Sequence, residues 1–161
     1  MRVLFITYYS SLYGANRSLL NLIDGLKQFK VESLVLCTSE GEITKALKEM
    51  EIPFAVYSFK NWMRSSSKLN IRTLVRLIIN FILLPFIVIQ VRKWNVNVIY
   101  TNSSVTQIGA LIAIILKKPH IWHIREFGKL DYQLHYDWGR KAFKKWLNKA
   151  DAVISISNAV I

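Results

Sequence analysis

The chain contains 161 residues, of which 52% are hydrophobic and 20% are charged, with 6 Gly and 3 Pro. These proportions exclude a disordered chain, a collagen-like protein and a flexible linker, and the length fits one globular domain. The net charge is +12, and the single cysteine, Cys37, excludes an internal disulfide framework and gives no indication of secretion.

Apolar β-type runs alternate with helical patterns along the chain, which is typical of parallel βαβ units. Strands are predicted at 2–7, 31–37, 54–57, 97–101, 119–124 and 151–156. Apolar residues at helical spacing predict helices over 15–26, 43–50, 105–116 and 138–149.

The segment from Leu74 to Val91 is the most apolar part of the chain, although Pro85 and three polar residues interrupt it. A membrane-spanning helix needs about 20 nearly unbroken apolar residues, and only residues 77–89 come close to this pattern. We predict a helix kinked at Pro85, whose apolar excess serves either core packing or contact with a bilayer interface.

Six parallel strands joined by right-handed crossovers wind most simply in the order 3-2-1-4-5-6. The predicted fold is therefore an α/β three-layer sandwich, with a doubly wound parallel sheet between two layers of helices. In such sheets ligands bind beyond the carboxyl ends of strands one and four, with strand five beside them. The three most polar, small-residue clusters of the chain follow these strands, at 8–17, 101–104 and 123–128.

The first cluster has the features of an anion site. Gly14 lies just before a predicted helix with Asn16 and Arg17 in its first residues, so backbone N–H groups and the positive end of the helix dipole favour a phosphate. Alternatively, Gly14 only allows the chain to turn. Neither a GxGxxG fingerprint nor a Walker lysine motif is present, which disfavours dehydrogenases and P-loop enzymes.

The second cluster offers amide and hydroxyl groups from Asn102, Ser103 and Ser104, which suit a polyhydroxylated ligand. Alternatively, Ser103 or Ser104 only caps the helix predicted to start near Val105.

The third cluster places His123, Arg125 and Glu126 together at the end of a predicted strand. Three ionisable groups in four residues favour a functional site over a histidine that only completes the core. A general-base role for His123 is one possibility.

The charge of the chain is concentrated in its apolar middle. Residues 52–125 carry ten bases and no acid. This combination favours an anionic membrane surface over nucleic acid as the partner, with ordinary solvated surface as the alternative. The bases predicted to face the membrane are Arg64, Lys68, Arg72 and Arg76. No CxxC or HExxH spacing occurs, so no metal site is predicted.

Several segments together resemble a known family. These are MRVLFIT, YGANRSLLNLIDGL, NVIYTNSS, KKPHIWHIREFG and ADAVISISNAV, and in this order they resemble the amino-terminal domain of retaining family-4 (group 1) glycosyltransferases of the two-domain GT-B type. The resemblance covers nearly all of residues 1–161 and implies a Rossmann-like, acceptor-side domain. Tyr13 departs from the family, which usually has a second glycine there.

The resemblance also implies roles for individual residues. Gly14, with Asn16 and Arg17, corresponds to the loop beside the donor diphosphate, and His123 to the catalytic cleft histidine near the transferred sugar. The residues implied on the acceptor side are Asn102, Ser103, Ser104, Arg125 and Glu126.

The whole enzyme is expected to transfer a hexosyl group from a nucleotide-diphosphate sugar to a hydroxyl of a glycan or lipid-linked acceptor in polysaccharide biosynthesis. Retention at the anomeric carbon is expected, with no metal or other cofactor. The carboxyl-terminal nucleotide-sugar-binding domain, with its pair of glutamates, is absent, so this chain alone is expected to be inactive.

We expect a cytoplasmic location, peripheral at the inner face of the membrane. The alternative is a non-catalytic basic module that binds a phosphate-bearing ligand or an anionic membrane, and nucleic-acid binding is a weaker one.

Overall fold

The computed structural model describes residues 1–64, 71–125 and 135–156. Two predicted site residues, Lys68 and Glu126, lie outside these ranges. The strands are β1 (Arg2–Ile6), β2 (Glu32–Cys37), β3 (Phe54–Val56), β4 (Met63–Arg64), β5 (Val98–Thr101), β6 (His120–Ile124), β7 (His135–Tyr136) and β8 (Ala152–Ser155). The helices are α1 (Gly14–Lys27), α2 (Glu42–Glu49), α3 (Ile71–Trp94), α4 (Ile108–Leu116) and α5 (Gly139–Leu147).

Six strands form one sheet in the order β3-β2-β1-β5-β6-β8, and every neighbouring pair is parallel. In terms of the six predicted strands this is the order 3-2-1-4-5-6, and each strand end lies within one residue of its prediction. The predicted doubly wound α/β sandwich is therefore confirmed.

Helices cover the two faces of the sheet because side chains alternate along each buried strand. On one face, Phe5 packs with Leu19 of α1 and Ile43 of α2. On the other face, its neighbour Leu4 packs with residues of α3 and α4, among them Ile87. The two cores fix the helix layers on either side of β1, β5 and β6.

Helix α3 has two different long faces. Leu84, Ile87, Val88 and Val91 are buried in the core against the sheet, so core packing accounts for part of its apolar content. The helix continues through Pro85, where the kink stays a prediction. By length and composition alone α3 could cross a membrane, and only 28% of its most apolar 18 residues are buried. The other face is exposed.

A short antiparallel ribbon, β4 with β7, lies outside the main sheet and was not predicted. Beside it, Asp137 is buried and accepts two hydrogen bonds from Arg76 Nη2, at 2.7 Å to Oδ1 and 2.9 Å to Oδ2. Arg64 Nη1 lies 3.6 Å from the same carboxylate and donates to the Asp137 carbonyl at 2.7 Å. These inward contacts correct the expectation that Arg64 and Arg76 face a membrane, whereas Arg72 is exposed.

Candidate functional site

The three predicted site clusters follow β1, β5 and β6, which lie side by side in the sheet. Because the strands are parallel, their carboxyl ends meet at one edge. This edge is the candidate site.

Asn16 holds the loop between β1 and α1 in place. Its side chain is buried, accepts a hydrogen bond from Thr7 Oγ1 at 2.6 Å, and donates to the carbonyls of Tyr9 and Ser11, both at 2.7 Å. All three bonds are internal to the loop. The Asn16 amide therefore shapes the loop, and the groups that a ligand can reach belong to its neighbours.

The start of α1 is open to an anion. Within the described residues, Tyr13 at the N-cap provides no side-chain hydrogen bond, and the first turn contains no acidic residue. Gly14 is exposed, and a Cβ placed there would meet nothing within 4 Å. Arg17 is also exposed. Uncapped N–H groups at a helix start are a favourable environment for a phosphate, and Arg17 adds positive charge.

Arg125 connects the three clusters. Its Nε donates to Asn102 Oδ1 at 2.7 Å, and its Nη2 donates to Ser18 Oγ in α1 at 3.2 Å. Asn102 is itself buried and donates from Nδ2 to the Ala15 carbonyl at 3.2 Å. The end of β5, the end of β6 and the start of α1 therefore share one hydrogen-bonded network.

Ser103 and Ser104 are buried and shape the turn that follows β5. Ser103 Oγ accepts the Val105 N–H at 3.1 Å, and Thr106 Oγ1 accepts the Ile108 N–H at 3.3 Å. Helix α4 consequently begins at Ile108, three residues after its predicted start. A role for the two serines in acceptor binding stays a prediction.

His123 is half-buried on the sheet face that α1 covers, and its Nδ1 is hydrogen-bonded to the Tyr100 hydroxyl. Burial, together with the nearby Arg125 charge, lowers the pKa of His123 to about 4, so the imidazole is neutral at pH 7. Burial raises the pKa of Tyr100, against the effect of Arg125, so the phenol keeps its proton. A Tyr100 donor to Nδ1 leaves the proton on Nε2, which can then bind a ligand oxygen.

Sequence reasoning missed Tyr100. The available signal was the strand register, because Tyr100 pairs with Ile121 and so lies on the same face as His123, two residues further along β6.

His120 was also missed, and it lies on the opposite face of β6. Its Nε2 is 2.8 Å from Thr101 Oγ1, and burial lowers its pKa to about 4, partly offset by Asp151. These contacts make it a structural residue. Across residues 1–64, 71–125 and 135–156, no three His, Cys, Asp or Glu side chains are grouped to hold a metal ion.

Comparison with known proteins places this chain in a family. The model for Glycosyltransferase Family 4 matches residues 13–161. The chain belongs to this family. No curated protein sequence matches it significantly.

Solved structures show the same fold as this family-4 domain. An Anabaena protein, HepE, in complex with UDP-glucose aligns with a TM-score of 0.66 at 18% identity, over 99% of this chain and 38% of its own. MurG of Acinetobacter baumannii aligns with a TM-score of 0.63 at 16% identity, over 98% of this chain and 42% of its own. The lipopolysaccharide outer core galactosyltransferase WaaB aligns with a TM-score of 0.59 at 14% identity, over 99% and 40%.

The family-4 chain thus spans about two-fifths of the length of the structures it matches. Its Rossmann-like sheet corresponds to one part of those GT-B proteins.

Proposed function

We propose that this domain forms the acceptor side of a retaining glycosyltransferase that transfers a hexosyl group from a nucleotide-diphosphate sugar to a hydroxyl of a glycan or lipid-linked acceptor. The observation that carries the proposal is the Arg125 network, which joins the start of α1, the end of β5 and the end of β6 in a chain of family 4. Polysaccharide biosynthesis is the proposed setting, at the cytoplasmic face of a membrane. HepE was solved with UDP-glucose, which supports a nucleotide sugar as donor.

Each part of the carboxyl edge has a task in this proposal. The uncapped start of α1 at Gly14, with Arg17, binds the diphosphate of the donor. Neutral His123 donates from Nε2 to a hydroxyl of the transferred sugar, with Tyr100 fixing the tautomer. Arg125, held by Asn102, orients the acceptor.

In the transfer itself, the bond between the anomeric carbon and the diphosphate oxygen breaks, and a bond to the acceptor oxygen forms. The acceptor proton leaves with the diphosphate, so atoms and charge balance without a metal or resident cofactor. In this proposal the residues of this chain bind and orient the reactants. The domain spans about two-fifths of the length of the structures it matches, which supports the proposal that it is inactive alone.

The test is His123→Ala in the transferase that contains this domain. Loss of a contact to the reacting sugar is expected to lower kcat/KM by roughly 10²-fold, equivalent to about 2.7 kcal/mol. The matched control is His135→Ala, because His135 lies in the β4–β7 ribbon, outside the carboxyl edge. A lower melting temperature with unchanged kcat/KM would instead identify His123 as a core histidine.

A non-catalytic basic module remains the second candidate, favoured by the ten bases and no acid of residues 52–125. In that case neither histidine variant would affect any transfer, and the protein carrying this domain would bind its ligand without turnover.

A further inference from the structure

We infer that the exposed face of α3 is a docking surface for an anionic phospholipid bilayer, into which its apolar side chains insert. This inference deepens the proposed peripheral location, and it places the membrane contact on a surface that does not depend on Arg64 and Arg76, whose contacts are inward. The α3 docking face consists of Leu74, Val75, Ile78, Phe81, Ile82, Phe86 and Ile89, which are between 48% and 64% exposed.

The spacing of these residues makes them one surface. They recur at three- and four-residue intervals, so they lie along one side of the helix, opposite Leu84, Ile87 and Val91 in the core. Exposure of so many large side chains on one helix marks an interaction surface, because scattered single residues are the norm for soluble proteins. Exposed Ile114 and Ile115 of α4 add to the same side of the sheet.

Positive charge lies where the lipid headgroups would be. Arg92 and Lys93 are three and four residues after Ile89, so they continue the α3 docking face in the last turn, and both are exposed. Arg92 also lines a cavity of about 280 Å³ between the ends of α3 and α4, together with Lys117 and Lys118. This positive cleft offers opposite charge to a phosphate headgroup.

The absence of acids favours a bilayer over a second copy of this chain as the occupant of the α3 docking face. Residues 52–125, which include the whole of α3 and α4, contain no Asp or Glu. A face of like charge on two copies repels itself, whereas an anionic bilayer supplies the opposite charge over its whole area. Charge complementarity therefore favours the bilayer.

The helix lies in the interface and does not cross the bilayer. Crossing would remove Ile87 and Val91 from the core. It would also break the contacts of buried Asn80, whose Oδ1 accepts the Lys60 N–H at 2.6 Å and whose Nδ2 donates to the Lys60 carbonyl at 3.0 Å. An amphipathic surface that remains folded against its own sheet is typical of a peripheral protein.

Co-sedimentation of the 161-residue chain with vesicles tests the apolar part. The vesicles contain phosphatidylcholine with about one-third phosphatidylglycerol, or phosphatidylcholine alone. We expect Phe81→Ser to weaken binding to the anionic vesicles by roughly ten- to a hundredfold. The matched control, Phe29→Ser, removes a phenylalanine of similar exposure in the loop after α1 and leaves binding unchanged.

A second pair of variants tests the charge. Replacing the three bases of the cleft by Gln is expected to weaken binding roughly a hundredfold, because each base near an anionic surface strengthens binding about fivefold. The control replaces three bases on the other side of the sheet, one in α1, one in the turn after α1 and one in α2. The cleft variant is Arg92→Gln, Lys117→Gln and Lys118→Gln, and the control is Lys27→Gln, Lys30→Gln and Lys45→Gln.

The inference would be overturned if the chain did not bind anionic vesicles, or if the test and control variants lost binding equally. It would also be overturned if the chain formed a dimer that Phe81→Ser dissociates and did not bind vesicles. Equal binding to neutral and anionic vesicles would also refute it, because the charge of the headgroups would then make no difference. None of these readouts involves sugar transfer, and His123→Ala is expected to bind vesicles as the unaltered chain does. Failure of docking and failure of the proposed reaction are therefore distinguishable.

Discussion

Two ion pairs of the same length but different burial allow a direct test of what stabilises the β4–β7 ribbon. Arg76–Asp137 and Arg2–Glu32 both have a shortest N–O distance of 2.7 Å. The side chains are 21% and 4% exposed in the first pair, and 45% and 65% exposed in the second. We predict that Asp137→Asn is far more destabilising than Glu32→Gln.

The magnitude follows from burial. Removing one partner of a buried pair costs about 3–5 kcal/mol, since the remaining charge is left without compensation. In Asp137→Asn both Arg64 and Arg76 lose the carboxylate, so the full range applies. A chain of this length loses about 2–4 °C in Tm per kcal/mol, which gives a decrease of about 6–20 °C. Glu32→Gln removes an exposed pair that contributes about 0.2–1 kcal/mol.

Thermal unfolding followed by circular dichroism measures both variants, at low salt and at about 1 M salt. The effect of Glu32→Gln is expected to disappear at high salt, and the effect of Asp137→Asn to persist. Equal decreases in Tm for the two variants would refute the reasoning, because burial would then make no difference.

Three further predictions concern the main sheet and its helices. A Cβ on Gly109 of α4 would overlap Thr101 Oγ1, so Gly109→Ala is expected to lower the free energy of unfolding by about 1–3 kcal/mol. Gly25→Ala, in the open part of α1, is expected to raise it by about 0.4–1 kcal/mol. Urea unfolding measures both changes. The folded-state pKa of His120, about 4, is below its ordinary 6.5. The unfolded chain therefore binds the proton first, and stability falls as the pH decreases from 6.5 to 4. A flat Tm across this window, or the same slope of Tm against pH in His120→Gln, would contradict this. Burial raises the pKa of Cys37 to about 12, so iodoacetamide is expected to label it only after unfolding, and rapid labelling at neutral pH of the folded chain would show an open core.

The sheet could be predicted from the sequence because its signals are local. Buried strands such as β1 and β2 each contain four consecutive apolar residues, VLFI and LVLC, and the handedness of crossovers then restricts the strand order. The ribbon of β4 and β7 could not be predicted, because two residues a strand carry no periodicity. Its stabilising partner, Asp137, lies 61 residues from Arg76 along the chain, and no spacing rule connects them.

For the candidate site, the sequence could locate the edge but not the direction of each side chain. Asn16 and Asn102 are polar residues in the expected loops, yet their amides are used inside the fold. Whether a polar group bonds to its own loop or to a ligand depends on distances of tenths of an ångström. Tyr100 was hidden for another reason, since an aromatic residue in a buried strand is ordinarily core.

Two tryptophans report on the loop after β5 through their intrinsic fluorescence. Trp62 and Trp122 are buried and stacked, with ring centroids 6.0 Å apart. Each donates its indole N–H to that loop, Trp62 to the Ser104 carbonyl and Trp122 to the Ser103 carbonyl. Emission from indoles depends on the polarity and hydrogen bonding around the ring, so a shift of either carbonyl changes the intrinsic fluorescence. A ligand that moves these carbonyls when it binds at the carboxyl edge would therefore be detected in solution without an attached label.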